Sequence, residues 1–190
     1  MEPLPPKSHL HWRRLDGSGR EEARTERAAE GWRLSGRVET EAAGERGQLR
    51  YVIDCDLGWR TRRAIVTGSA AGADVRFEFT ADGEGHWTLN GAPLPLVQGA
   101  LDLDLGFTPA TNLLPIRRLD LKVGDRARVR SAWLRFPELR VEDLEQWYRR
   151  EAARVFRYEA LVDGERFEAQ LDTDEFGRVL FYEGLWKAEG

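Results

Sequence analysis

The sequence predicts a mainly β fold, in which an antiparallel sheet of many strands accompanies one main helix. From Leu49 to Trp59, apolar residues occupy every second position opposite charged ones, which is the pattern of a strand with one buried face. The same alternation recurs from Leu101 to Phe107 and from Val75 to Phe79. Turn-forming pairs such as Asn90-Gly91 separate these runs, which is typical of antiparallel hairpins.

The first residues differ in character from the rest of the chain. Residues 1–8 are rich in proline and are predicted to be a flexible N-terminus, followed by a single domain over residues 9–190. From His9 to Arg33 the sequence is highly charged, with Trp12 and Trp32 as isolated apolar anchors. Within that segment, residues 21–30 fit either a solvated strand or a helical turn.

The stretch from Leu101 to Leu121 organises the chain. Its first half alternates as a strand, and Pro109 and Pro115 then bracket a bend. A proline has no amide hydrogen and biases its predecessor towards extended geometry, so such a bracket shapes the backbone. Alternation resumes at Leu119, and the stretch therefore predicts two strands joined by a polar bend.

The main helix is predicted in the segment that follows Pro137. Acidic residues at 142 and 143 suit a helix N-terminus, and Leu144, Trp147 and Tyr148 follow at helical spacing. Strands are predicted to return at 156–158, 167–171 and 179–182, with glycine-containing turns between them.

Two short motifs occur twice in the same order. Residues 32–36 (Trp-Arg-Leu-Ser-Gly) resemble residues 87–91 (Trp-Thr-Leu-Asn-Gly), and residues 54–58 (Asp-Cys-Asp-Leu-Gly) resemble residues 102–106 (Asp-Leu-Asp-Leu-Gly). The repeat is either coincidental or the trace of a duplication. A duplication would give two similar β units that share one sheet.

Composition excludes several classes of function. The 190 residues include 29 basic and 33 acidic side chains, and a net charge of −4 argues against a nucleic-acid binder. One cysteine, Cys55, can form neither an internal disulfide framework nor a thiolate metal site. The chain shows no secretory signal and no run of about 20 apolar residues, so we expect a cytoplasmic protein without a transmembrane segment.

Catalytic and metal-binding patterns are weak. Asp102 and Asp104 share one face of a predicted strand and could hold a cation or act as general acid and base, but a solvated face or cross-strand pairing with arginine is the preferred explanation. The three histidines lack metal-ligand spacing, and no serine lies in a nucleophile motif. We therefore predict no catalytic residue, no metal and no cofactor.

A ligand-binding group is the better candidate for a site. Aromatic faces stack on sugars, amides and hydroxyls bond to hydroxyl groups, and arginine clamps phosphate or carboxylate. The alternative is that the polar residues cap the bend and the arginines pair with Asp102, Asp104 or Asp120. The candidate ligand-binding residues are Trp59, Arg62, Thr108, Asn112, Arg117 and Arg118.

Several segments together resemble the bacterial putative glycolipid-binding family. The most specific is Thr-Pro-Ala-Thr-Asn-Leu-Leu-Pro-Ile-Arg-Arg-Leu at 108–119, and the likeness extends from about Trp12 to Tyr182. The other matching segments are residues 56–62, 87–91, 102–107, 146–148 and 174–182. The resemblance implies a spiral β-roll, a many-stranded antiparallel sheet wrapped around one main helix.

These observations lead to one functional expectation and two alternatives. We expect non-enzymatic binding of a glycolipid or another amphipathic small molecule, with the acyl chain on the apolar inner face of the roll and the head at its mouth. One alternative is a small enzyme that acts on a sugar or lipid through the strand-face aspartates. The other is a structural partner-binding protein, and a homodimer is left open.

Overall fold

A computed structural model describes residues 9–189 of the chain, so the predicted flexible N-terminus lies outside the described residues. Within this range the chain forms fifteen β-strands, two short 3-10 turns and a single α-helix, α1. The strands are β1 (His9–Arg14), β2 (Gly19–Ala28), β3 (Gly31–Ala42), β4 (Glu45–Asp56), β5 (Thr61–Ala70), β6 (Ala73–Ala81), β7 (Trp87–Leu89), β8 (Ala92–Pro93), β9 (Asp102–Leu105), β10 (Arg126–Leu134), β11 (Val141–Ala152), β12 (Val155–Val162), β13 (Glu165–Thr173), β14 (Val179–Tyr182) and β15 (Trp186–Glu189). Helix α1 spans Leu113–Leu119.

All fifteen strands belong to one open sheet, which confirms the predicted mainly β fold. Strands β1 to β8 pair in sequence as one arm, β10 to β15 pair in sequence as a second arm, and β1 joins the arms by pairing with β15. Strand β9 is the far edge of the second arm and runs parallel to β10, whereas the other neighbouring strands are antiparallel. The architecture is that of a β-roll.

The predicted alternation is correct from Leu49 to Cys55 and places the core on one face of the sheet, but β4 ends at Asp56 and Leu57 is exposed. In β4, Leu49, Tyr51, Ile53 and Cys55 are buried while the residues between them point outwards. Tyr51 packs over Gly36 of β3, where a Cβ atom would lie 2.5 Å from the tyrosine ring. We call this buried side of the sheet the inner face.

The helix lies in the central stretch, where the sequence predicted a bend leading into a second strand. Helix 113–119 accommodates Pro115 because this residue falls in the first turn, where a missing amide hydrogen costs nothing. Asp120 ends the helix in the left-handed conformation with φ 44°. The predicted strand at Leu119 is therefore wrong, since this residue closes the helix.

The segment after Pro137 is a strand and not the predicted helix. In β11 the buried side chains are Leu144, Gln146 and Tyr148, which alternate as a strand requires. A buried glutamine broke the apolar period of two in the sequence. Trp147 points to the outer face under the guanidinium of Arg126, and this supplied the false helical spacing.

The two copies of the repeated motifs lie in different structural settings. Trp32 and Cys55 are cross-strand partners in β3 and β4. Trp87 lies in β7, whose neighbours are β6 and β8, whereas Asp102 begins β9 at the opposite edge of the sheet. The short sequence repeat therefore does not extend to strand pairing.

Helix α1 is seven residues long, and no helix within residues 9–189 has the length and apolarity needed to cross a membrane.

Candidate functional site

A cavity of about 180 Å³ lies on the inner face of the second arm, against the turn that follows β9. Strands β9 to β13 supply one side, and the segment from β14 to β15 supplies the other. The residues that line it are Asp104, Leu105, Gly106, Thr108, Asn112, Trp133, Leu144, Tyr158, Ala160, Val162, Phe167, Tyr182, Leu185 and Trp186. Below, "the cavity" denotes this space.

The cavity has a buried floor and a more exposed rim. Four polar side chains of the floor are buried, namely Thr108, Asn112, Tyr158 and Tyr182, and they lie among buried apolar residues. The rim consists of one exposed residue, Gly106, and four half-buried residues, namely Trp133, Val162, Phe167 and Leu185.

Asp104 is the only ionisable carboxyl or basic side chain among the described residues that line the cavity. Its Oδ1 accepts a hydrogen bond from the hydroxyl of Thr111 at 3.3 Å, and its Oδ2 accepts one from Nε2 of Gln146. Burial raises the pKa of the Asp104 carboxyl to about 6, although these two hydrogen bonds lower it and the charge of Asp102 raises it slightly. At neutral pH the group is therefore mainly a carboxylate held in a poorly hydrated place.

Gln146 fixes the polar groups around Asp104. Its Oε1 accepts a hydrogen bond from the hydroxyl of Ser131 at 3.0 Å, so its amide nitrogen must face the other way. That nitrogen donates to the hydroxyl of Tyr158 at 3.0 Å as well as to Asp104. The ring of Tyr182 lies edge-on to that of Tyr158, with centroids 5.9 Å apart. The carboxylate and the tyrosine hydroxyl therefore have defined positions in the cavity.

Asn112 uses both of its amide atoms inside the protein. Its Oδ1 accepts a hydrogen bond from the hydroxyl of Tyr148 at 2.8 Å, and its Nδ2 donates to the carbonyl of Pro109 at 3.2 Å. Asn112 thereby ties the turn before α1 to β11. It lines the cavity, but its hydrogen-bonding groups already have partners.

Thr108 ties the same turn to the first arm. Its hydroxyl donates to Oε1 of Glu21 at 2.8 Å, and the hydroxyl of Tyr51 donates to the same oxygen at 2.6 Å. The other oxygen of Glu21 is buried without a hydrogen-bond partner within the described residues. Burial raises the pKa of the Glu21 carboxyl to about 8, although both hydrogen bonds lower it. A mostly neutral carboxyl thus joins the two arms at pH 7.

Asp102 and Arg118 form a buried ion pair outside the cavity. The guanidinium of Arg118 in α1 contacts both carboxylate oxygens, with Nη2 at 2.6 Å from Oδ2 and Nε at 3.0 Å from Oδ1. Asp102 is 1% exposed and the Arg118 side chain 16%. This is the arginine pairing that the sequence left open as an alternative.

The remaining predicted site residues lie away from the cavity. Trp59 is buried and stacks on Trp32 with ring centroids 4.7 Å apart. The guanidinium of Arg117 lies 4.7 Å from the ring centroid of Phe176 and donates to the carbonyl of the same residue. Arg62 is exposed and donates to the carbonyl of Asp82. Of the six predicted residues, only Thr108 and Asn112 line the cavity, whereas Arg117 and Trp59 contact each other elsewhere, with the guanidinium 5.6 Å from the ring centroid.

Sequence reasoning missed Gln146, Tyr158 and Tyr182 as members of this group. Gln146 was hidden because its segment was interpreted as a helix, and the two tyrosines read as ordinary strand residues. A signal was present, since a polar residue at a buried strand position requires hydrogen-bond partners. Asp104 was recognised in the sequence, but as half of a carboxylate pair with Asp102.

Among the described residues, no three His, Cys, Asp or Glu side chains are arranged to hold a metal ion. The fold and the cavity define an open all-β roll with a partly polar internal site. The chain belongs to the family described as "Putative glycolipid-binding", whose model matches residues 9–188.

One solved structure shows the same fold along almost the whole chain. It is the crystal structure of a DUF1089 family protein from Pseudomonas aeruginosa, with 32% sequence identity and a TM-score of 0.80. The match covers 98% of this chain and 99% of that one. No curated protein matches the sequence.

Proposed function

We propose that the protein is a non-enzymatic binder of an amphipathic ligand such as a glycolipid, and that the cavity is its binding site. The observation that carries the proposal is the cavity itself, which combines a carboxylate and tyrosine hydroxyls with apolar walls on one inner face. Ligand sites are typically concave and apolar with a few well-placed polar groups. The name of the family agrees with a ligand of this kind.

The arrangement of the carboxylates favours binding over the alternative of glycoside hydrolysis. Most glycosidases place two carboxyl groups on either side of the scissile bond. Here Asp104 faces the cavity, whereas Asp102 is held by Arg118 and does not line it. A single carboxylate with hydrogen-bonding neighbours suits recognition of hydroxyl groups.

The proposal is tested by native mass spectrometry of freshly purified protein. We expect an adduct with the mass of a co-purified amphiphile on the wild-type chain. Ala160→Leu should fill part of the cavity, because Ala160 is buried and lines it, and should remove the adduct. Ala92→Leu is the matched control, since Ala92 is exposed at the far edge of the sheet. An adduct that survives Ala160→Leu in folded protein would place the ligand elsewhere and overturn the proposal.

A further inference from the structure

We infer that the ligand enters the cavity head first, with a hydroxyl-bearing head group that carries no negative charge on the floor and the apolar chain at the rim. This inference rests on the proposed function, and it deepens it by assigning an orientation and a charge class to the ligand. It reverses the arrangement expected from the sequence, in which the acyl chain occupied the inner face and the head lay at the mouth.

The distribution of polar groups supports this orientation. The polar side chains of the floor, including Tyr158 and Tyr182, are at most 8% exposed. The exposed side of the cavity has only apolar and aromatic side chains, apart from Asp104, which is half-buried between floor and rim. An acyl chain on the floor would cover the tyrosine hydroxyls without offering them hydrogen-bond partners, which is unfavourable. A hydroxylated head offers such partners.

The size of the cavity supports the same orientation. Its volume of about 180 Å³ is below the roughly 300–1,000 Å³ typical of sites that enclose a drug-sized ligand. The cavity therefore holds one end of an amphipathic molecule, and the other end lies outside. The half-buried Phe167 and Leu185 at the rim offer apolar surface to the first carbons of a chain.

The charge of the lining excludes an anionic head. Among the described residues that line the cavity there is no Lys, Arg or His, so a phosphate or carboxylate would meet Asp104 without a counter-charge. Two guanidinium groups do lie over rings of the lining, Arg14 over Trp186 and Arg135 over Trp133. Both contact carboxylates of their own, with Arg14 3.3 Å from Asp16 and Arg135 2.7 Å from Asp163.

The carboxylate has capacity left for a ligand. Each oxygen of Asp104 accepts one hydrogen bond from the protein, and a carboxylate oxygen has two acceptor positions. A ligand hydroxyl can therefore donate a hydrogen bond to Asp104. The ionised group of a phosphate ester or of a fatty acid at pH 8 has no proton to donate. Asp104→Asn keeps the shape but replaces one acceptor oxygen by a donor and removes the charge.

Titration calorimetry at pH 8 below the micelle concentration tests this assignment. The probes are methyl β-glucoside, octyl β-glucoside, octyl β-glucuronide and decanoate. We expect both glucosides to bind, with the octyl form tighter by less than about tenfold. We expect the glucuronide to bind at least tenfold more weakly than octyl glucoside, and decanoate not to compete with it.

Two variants distinguish binding of the head group near the floor from binding of the apolar chain at the rim. Asp104→Asn should weaken the binding of both glucosides at least tenfold. It should also reduce the difference in affinity between octyl glucoside and octyl glucuronide. Phe167→Ala should weaken the binding of octyl glucoside more than that of methyl glucoside, since the ring lies at the rim. Glu168→Gln, an exposed change in the same strand, is the control for both.

Two results would overturn the inference in distinguishable ways. The head-first orientation is wrong, while the binding function stands, if decanoate or the glucuronide binds as tightly as octyl glucoside. The same conclusion follows if Asp104→Asn leaves the affinity for octyl glucoside unchanged. If none of the three octyl and decanoyl probes binds the folded protein, the proposed function fails, and the inference fails with it.

Discussion

Replacing Glu21 by glutamine tests whether a neutral carboxyl joins the two arms of the sheet. The pKa of this carboxyl rises from 4.5 to about 8 in the folded protein, because burial penalises the charge. Between these two pH values the folded state binds more protons at Glu21 than the unfolded state does. The contribution of Glu21 to the free energy of unfolding is therefore fully present below pH 4.5 and is lost as the pH rises through about 8. The wild-type free energy of unfolding should therefore fall by about 2 kcal/mol between pH 6 and pH 8 through this group alone.

Glu21→Gln should remove that loss, since the amide keeps an oxygen acceptor for Tyr51 and Thr108 and never ionises in this range. We expect the variant to gain about 2 kcal/mol on the wild type between pH 6 and pH 8. Asp104 has a pKa of about 6, so its own effect on the free energy of unfolding falls mainly below pH 6. The range from pH 6 to pH 8 therefore reports mainly on Glu21.

The assay is urea unfolding at pH 6, 7 and 8, with Glu22→Gln as the matched control. Glu22 is adjacent in β2 but exposed on the outer face. Its variant should follow the wild-type pH dependence. Parallel curves for Glu21→Gln and the wild type across this range would refute the argument, because they would mean that Glu21 has the same protonation in both states.

Two further changes separate buried polar contacts from surface ones, each measured by urea unfolding of ligand-free protein. Asn112→Ala should cost about 1–3 kcal/mol, because it leaves the buried hydroxyl of Tyr148 without its acceptor; an unchanged stability would show that this bond contributes nothing. Asp102→Asn should cost about 3–5 kcal/mol by leaving Arg118 without its buried partner. Asp54→Asn, which breaks a more exposed strand pair, should cost at most about 1 kcal/mol, and equal losses at the two positions would contradict this difference.

The strands with one solvated face could be predicted from the sequence because the physics there is local. In β4 a buried apolar residue alternates with an exposed one, so the period of two appears directly in the residues. The turn at Asn90-Gly91 was equally local, since both residues have positive φ in the structure. The family motif at 108–119 identified the segment that forms helix α1 and supplies Thr108 and Asn112 to the cavity floor.

Helix α1 lies where the sequence predicted a bend leading into a strand, and strand β11 lies where it predicted a helix. Both errors arise where the structure depends on contacts between distant segments. Helix α1 is short and mostly buried, so its apolar residues carry no amphipathic stripe. Strand β11 buries Gln146, which is stable only because Ser131, Asp104 and Tyr158 supply partners from three other strands. Such partners are brought together by the fold and are not visible in any one segment.

The polar turn after β9 has two roles that the sequence could not separate. Thr108 is bonded to Glu21 in the first arm, and Asn112 is bonded to Tyr148 in the second. Thr108 and Asn112, which made this turn a candidate binding motif, therefore use hydrogen-bonding groups to join the two arms. Under the proposed function, recognition falls to groups that can still accept a hydrogen bond, above all Asp104. The position of Asp104 depends on that junction, because it accepts a hydrogen bond from Thr111 of the same turn. The motif thus shapes the cavity, and under the same proposal the strand residues around it determine what the cavity binds.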